Sequence, residues 1–188
     1  MQNPIVHEAG GLVAVCDYNG HIINVINSTG KEYEIDTNLP IRDFAISKEE
    51  RVAVILEDTN NSWVNLYDIN GNKLVEIKAT MSKTGYPLAV TLSDEVMGVS
   101  YFYVDGNKMR SSVTFYNFGG IGENTPDHIV SSYDYADAVV PLLAFLDTEN
   151  VFALGDSRLM FYAGAKKPVS TADTILSEKI FGAYYGDT

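Results

Sequence analysis

Acidic side chains recur where predicted strands end, and clustered carboxylates could bind a divalent cation or a positively charged protein. They occupy two sets of loops, one after the second strand of each repeated unit and one before the next unit. The set consists of Asp17, Asp36, Glu57, Asp58, Asp105, Asp134, Asp137 and Asp156. Carboxylate oxygens are the ligands that Ca²⁺ prefers, and concentrated negative charge attracts cations. Aspartate is also a good turn former, so a purely structural role for this set stays open.

A metal-dependent hydrolase or lactonase is the enzymatic alternative. It would need carboxylate and amide oxygens that converge from several units on one ion at the mouth of a central channel. Asn38, Asp58, Asn107 and Asp137 could supply them, although their spacing does not require it. Three or more such oxygens at about 2.3–2.6 Å from a common point would favour this alternative.

The histidines and the cysteine do not form a recognisable catalytic motif. His7, His21 and His128 are far apart and lack the spacing of a metal-binding motif, so we interpret them as ordinary strand or surface residues. Cys16 lies in an apolar run and is predicted to be a small buried hydrophobe rather than a nucleophile. We therefore expect no cofactor other than a divalent cation.

Two glycine-containing stretches resemble binding loops but are predicted to be structural. The run 68–72 begins like a calcium loop, yet its glycine is fourth and the twelfth position is Ala79, so a hairpin turn is favoured. The glycines at 119–122 follow a strand and have no helical pattern behind them. They are predicted to belong to a flexible insertion at 118–127.

Composition limits the classes of partner. The 188 residues are 46% hydrophobic and carry a formal net charge of −12. This charge disfavours binding to the nucleic-acid backbone, which needs clustered Lys and Arg. It suits a protein or cation partner. No apolar run approaches 18 residues, so no membrane span is predicted, and the N-terminal residues do not have the pattern of a signal peptide.

An internal repeat determines the fold prediction. Val-Ala-Val occurs at 13–15 and again at 52–54, each time followed by a polar turn, a further strand and a turn with glycine. Tyr67, Tyr116 and Tyr162 occupy one position of later copies, at intervals of roughly 40–50 residues. Four strands per period in an antiparallel meander are typical of β-propeller blades.

We therefore predict an all-β, β-propeller-like repeat of about four blades in a single domain spanning 1–188. The blades are placed near 4–37, 40–80, 86–135 and 139–175, with a polar loop at 163–174. Residues 179–186 look like the first strand of a further blade, so the repeat is expected to be part of a larger ring. Two copies could complete such a ring as a homodimer of eight blades.

The run Leu-Tyr-Asp-Ile-Asn-Gly at 66–71 resembles WD40-like and YVTN-like propellers. The runs 56–58, 85–88 and 114–119 are more narrowly similar to a family of unknown function from Gram-positive gut Firmicutes. This resemblance implies a longer chain with a membrane anchor and a propeller outside the cell, at the cell surface. The Trp-Asp pair of strict WD40 repeats is absent, because Trp63 is followed by valine.

The expected function is a non-catalytic, extracytoplasmic binding domain for a protein or a cation. The metal-dependent enzyme is the alternative, and an incomplete structural piece is a third possibility. Seven side chains of the core are expected to be mostly buried: Val52, Val54, Leu66, Val99, Phe115, Leu154 and Phe161.

Overall fold

The computed structural model describes residues 2–59 and 61–182, and the chain is a four-bladed β-propeller built from four-stranded antiparallel sheets. Blade one contains β1 (Pro4–Ala9), β2 (Leu12–Asp17), β3 (Ile22–Asn27) and β4 (Glu32–Asp36). Blade two contains β5 (Ile41–Ile46), β6 (Arg51–Glu57), β7 (Ser62–Asp68) and β8 (Lys73–Ala79). Blade three contains β9 (Tyr86–Leu92), β10 (Val96–Asp105), β11 (Lys108–Asn117) and β12 (Ile129–Ala136). Blade four contains β13 (Leu142–Phe145), β14 (Asn150–Leu154), β15 (Arg158–Ala163) and β16 (Val169–Ile175).

The strands of each blade follow one another in sequence order, as tight turns dictate. In blade two, one Asp68 carboxylate oxygen accepts hydrogen bonds from the backbone N–H groups of Asn70 and Asn72, each at 2.9 Å. Gly71 adopts φ 84°, which favours glycine. The run 68–72 is therefore a hairpin turn.

The antiparallel order defines two faces of the propeller. The upper face holds the loops between second and third strands and the connections between blades. Backbone hydrogen bonds of 2.8 Å from Asn19 N–H to the Ile41 carbonyl, and from Ile41 N–H to the Gly20 carbonyl, join these two kinds of loop. The lower face holds the turns between first and second strands.

Three buried apolar clusters fill the junctions between consecutive blades. One tyrosine occupies the same register position in each of the later blades, at Tyr67, Tyr116 and Tyr162, and all three are buried. Among residues 2–59 and 61–182, no buried cluster joins blade four to blade one. Three junctions of the propeller are thus filled, and the fourth is not.

The unfilled junction affects two of the residues predicted to be mostly buried. Val52, Val54, Leu66, Val99 and Phe115 are buried, as expected. Phe161 is 36% exposed, so the prediction was wrong for it, and Leu154 is buried less completely than those five. Both side chains point to the face of blade four that lies away from blade three.

The segments that depart from the regular repeat are also ordered. The predicted polar loop at 163–174 contains most of β16, which pairs along β15 and is exposed throughout. The insertion in blade three forms two 3-10 turns, Gly122–Asn124 and Pro126–His128. Residues 179–182 form no strand, and the rest of the predicted fifth-blade strand lies outside the described residues.

The two 3-10 turns of blade three are far shorter than a membrane-crossing helix, and no other helix occurs in the described part of the chain.

Candidate functional site

The acidic residues identified from the sequence all belong to the upper face. Each lies at or near the end of a strand that leads to an upper loop, or within that loop. Their side chains do not converge: in the described ranges, no three His, Cys, Asp or Glu side chains form a group that could hold a metal ion.

Several of these carboxylates accept hydrogen bonds from backbone N–H groups. Asp17 accepts hydrogen bonds from the N–H groups of Asn3, at 2.7 Å, and Gln2, at 3.0 Å. These bonds hold the pKa of Asp17 below its usual value. Asp36 accepts a 2.9 Å bond from the N–H of Asn38. The Asp36 contact is that of a turn-forming aspartate, whereas Asp17 ties the end of β2 to the segment that precedes β1.

Asp156 stabilises the upper end of blade four in the same way. Its carboxylate accepts a 3.1 Å hydrogen bond from the N–H of Val139 and forms a 3.2 Å ion pair with Lys179. The first contact ties a loop within blade four to the connection from blade three. The second holds the segment that follows β16 against the same loop.

Asp105 and Asp134 lie beside a groove of about 480 Å³ between blades two and three. The Tyr103 hydroxyl donates a 3.1 Å hydrogen bond to Asp134, while the Arg110 guanidinium lies 3.5 Å from the carboxylate of Asp105. These two acids are therefore exposed but locally paired.

The remaining residues of the enzymatic alternative are turn residues. Asp58 accepts a 2.6 Å hydrogen bond from the N–H of Thr59. Asn38 and Asp137 adopt φ 58° and 55°, in the left-handed region that Asn and Asp tolerate. Asn107 lies in the two-residue turn between β10 and β11. Each of these residues has a local structural role that needs no metal.

A cluster that the sequence did not reveal joins three blades on the upper face. Arg42 forms an ion pair with Glu57, and it donates hydrogen bonds to the hydroxyl of Tyr18, at 2.9 Å, and to Asn19. The hydroxyl of Tyr86 donates a 3.0 Å bond to the same Glu57 oxygen. We call Tyr18, Asn19, Arg42, Glu57 and Tyr86 the upper-face cluster.

The strand order explains why these residues meet. Arg42 and Tyr86 lie at the upper ends of the inner strands β5 and β9, Glu57 ends β6, and Tyr18 follows β2. The guanidinium carbon of Arg42 lies 5.2 Å from the centroid of the Tyr18 ring, within cation–π range. Burial, followed by the hydrogen bond to Glu57, raises the pKa of Tyr86 to about 12. The Tyr86 phenol therefore stays protonated at neutral pH, and it and the Arg42 guanidinium equip the cluster to bind.

A half-buried carboxyl and a buried thiol near the axis have structural roles. Asp43 accepts a 3.0 Å hydrogen bond from the N–H of Val90 and so links β5 to β9. Burial raises its pKa to about 7. Burial and the nearby Asp43 raise the pKa of Cys16 to about 12, so the thiol stays protonated, as expected of a buried hydrophobe.

The lower face holds a cleft of about 770 Å³, lined by the lower ends of the inner strands of all four blades. Its charged contacts include a 3.1 Å ion pair between Lys48 and Asp94. His7, at its edge, packs edge-on against Phe44 with ring centroids 4.9 Å apart. The cleft lies on the face opposite the upper-face cluster.

Comparisons with known proteins identify a family and leave the ligand unassigned. A family model described as Family of unknown function (DUF5711) matches residues 1–188. Among solved structures, Kluyveromyces marxianus Hsv2 is similar at 12% identity and a TM-score of 0.40, covering 81% of this chain and 60% of its own. The Vanderwaltozyma polyspora Nup133 β-propeller domain is similar at 10% identity and a TM-score of 0.43, covering 92% and 73%.

Citrobacter koseri AztD is similar at 7% identity and a TM-score of 0.37, covering 93% of this chain and 71% of its own. The chain thus spans 60% to 73% of the length of these three structures. No curated protein matches it.

Proposed function

We propose that this chain, which belongs to the DUF5711 family of unknown function, is a non-catalytic interaction domain that binds a protein through its upper face. The observation that carries this proposal is the upper-face cluster. It brings two tyrosines and an arginine from three blades to one place near the propeller axis. Tyrosine and arginine are the residues most enriched, with tryptophan, at the centres of protein interfaces.

The charge around the cluster indicates the kind of partner. The Arg42 charge is neutralised by Glu57, and exposed carboxylates occur elsewhere on the same face, at Asp36, Asp58, Asp105 and Asp137. The whole chain carries a net charge of −12. Complementary charge increases the rate of encounter and selects among partners. The proposed partner therefore presents Lys and Arg side chains to the upper face.

The local roles of the acidic residues make this proposal stronger than the enzymatic one. Backbone N–H groups or single cations already bind carboxylates such as Asp17 and Asp156. A metal-dependent hydrolase would need those oxygens directed at one shared point. A binding surface needs them only as a charged rim.

In-cell photo-crosslinking would test the proposal. A benzophenone amino acid replaces Tyr18, which is 42% exposed on the upper face, and in a matched control it replaces Leu146, which is 57% exposed beside the lower cleft. We expect a discrete adduct with a basic protein at position 18 and none at position 146. Adducts at position 146 alone, or at neither position, would contradict the proposal.

The location of the domain belongs to the same proposal. The resemblance of runs 56–58, 85–88 and 114–119 to anchored propellers supports a position outside the cell. Protease treatment of intact cells that express the native gene is the direct test. Digestion of the domain without cell lysis is the expected result, and full protection until lysis would contradict it.

A further inference from the structure

Within residues 2–59 and 61–182, the two end blades expose apolar sheet faces on which no other blade packs. On blade one, the outward face carries Val6, Val13, Val15 and Ile26, of which Val6, Val13 and Ile26 are 58%, 44% and 41% exposed. On blade four, the outward face carries Leu142, Leu154, Leu159 and Phe161. The first three are half-buried. We call these the blade-one outer face and the blade-four outer face.

The register shows what kind of surface each outer face is. The positions of Val6, Val13, Val15 and Ile26 correspond in blade two to Phe44, Val52, Val54 and Tyr67. In blade two these four side chains pack against the preceding blade and are at most 5% exposed. The blade-one outer face is therefore of the type that receives a preceding blade.

The blade-four outer face is the complementary type. Leu159 and Phe161 correspond to Val64 and Leu66 of blade two and to Val113 and Phe115 of blade three. Those four residues pack against the following blade and are at most 1% exposed. The blade-four outer face is thus of the type that receives a following blade.

We infer that a second copy of this chain covers both faces, with the blade-four outer face of each copy packed on the blade-one outer face of the other. The chain displays both halves of a junction that it already forms three times within itself. A head-to-tail contact of this kind closes after two copies when the rotation allows it. The result is a two-fold ring of eight blades, the upper end of the usual propeller range. This inference does not depend on the proposed function.

The physical cost of leaving these faces open favours the ring. Exposed apolar patches mark interaction sites or aggregation hazards. The end blades carry Val, Ile, Leu and Phe at positions where a solvated sheet face would carry polar residues. One symmetric pairing covers all four outer faces of the two copies and leaves none to join a third copy.

Light scattering on the purified chain tests the inference. The expected mass is about twice that of the 20.7 kDa chain. Val13→Glu and Phe161→Glu each introduce a charge into a different outer face. Each is expected to weaken dimerisation at least tenfold, while Val104→Glu, at another exposed apolar site, leaves it unchanged. Cooperative urea unfolding of every variant confirms that it is folded, and Ile26→Lys replaces Val13→Glu if that variant does not fold.

Mixing the two charge variants makes the test specific for a head-to-tail contact. Copies with Val13→Lys and copies with Phe161→Glu should each be monomeric alone and should form dimers together. A monomeric wild-type chain would overturn the inference, as would a ladder of larger oligomers. Loss of the dimer with Phe161→Glu but not with Val13→Glu would also overturn the inference. The blade-four outer faces of the two copies would then pack on each other.

Discussion

Blades one and two share the tripeptide Val-Ala-Val in their second strands, but the two copies lie in different surroundings. In blade two, Val52 and Val54 pack against blade one and Ala53 packs against blade three, so all three are fully buried. In blade one, only the alanine is buried, and Val13 is 44% exposed. The tripeptide specifies a strand and the direction of each side chain, while the neighbouring blades determine burial.

Blades two and four also differ in how many of their sheet faces are covered. In the described residues, the uncovered face of blade four is the one that points away from blade three. The burial of β6 is continuous, since both of its faces are covered. The burial of β14 alternates, because only the face toward blade three is covered. The same substitution at equivalent positions of two blades should therefore lower the free energy of unfolding by different amounts, depending on whether the junction there is filled.

Replacing equivalent phenylalanines would sharpen this comparison most. Phe115 is fully buried between blades three and four, and Phe161 is its counterpart on the blade-four outer face. We expect Phe115→Ala to lower the free energy of unfolding by about 3–5 kcal/mol. Phe161→Ala should cost about 1 kcal/mol or less when the chain is monomeric. Urea unfolding at low protein concentration measures both, and equal losses would contradict the filled and unfilled junctions.

Two hydrogen bonds between inner strands of neighbouring blades offer a second comparison. One is accepted by a carboxyl group and the other by a hydroxyl group. Asp43 links β5 to β9, and the hydroxyl oxygen of Thr91 accepts a 3.1 Å hydrogen bond from Phe145 N–H to link β9 to β13. Because the pKa of Asp43 is raised in the folded state, to about 7, its contribution is present at pH 4 and is lost as the pH rises through 7.

Urea unfolding between pH 4 and pH 8 tests whether stability falls as the pH rises. We expect the wild-type free energy of unfolding to fall by on the order of 2 kcal/mol over this range through Asp43. Asp43→Asn should remove that dependence, whereas Thr91→Val should lower stability equally at every pH. A pH profile unchanged by Asp43→Asn would show that this carboxyl is not the titrating group.

The two Val-Ala-Val strands provide a smaller effect with nearly identical chemistry. Val54→Ala should cost about 1–2 kcal/mol, from the lost burial of two methyl groups and the cavity left behind. Val13→Ala should cost less than about 0.5 kcal/mol in the monomer. Urea unfolding at low protein concentration measures both losses. Equal losses for the two variants would contradict the difference in burial between the two strands.

The smallest expected effect concerns divalent cations. Because the upper-face carboxylates are bound by turns and ion pairs, millimolar Ca²⁺ should leave the melting temperature unchanged, and so should a chelator. A cation site would behave differently, adding about 2.7 kcal/mol at 100 times its dissociation constant. A clear upward shift with Ca²⁺ would revive the metal-dependent alternative.

The fold was predictable because local signals repeat. Alternating strands and turn residues such as Asn70 and Gly71 define each blade without reference to the others. Burial at Leu154 and Phe161 was not predictable, because it depends on whether another blade covers their face.

The upper-face cluster was not predictable either. Its hydrogen bonds join residues 24 and 29 positions apart in different blades. Arg42 lies within a predicted strand and, considered alone, shows no motif. Only the placement of inner strands around an axis brings it to Glu57 and the two tyrosines.

The sequence of three filled junctions makes this chain behave as a row of units coupled to their nearest neighbours. Blades two and three each have two coupled neighbours, and blades one and four have one. Fluctuations should therefore start as fraying at the two end blades and proceed inward. Amide protons of β6 and β10 should exchange with solvent most slowly, and those of β2 and β14 sooner. The covering of an outer face would slow exchange first in the blade that is covered.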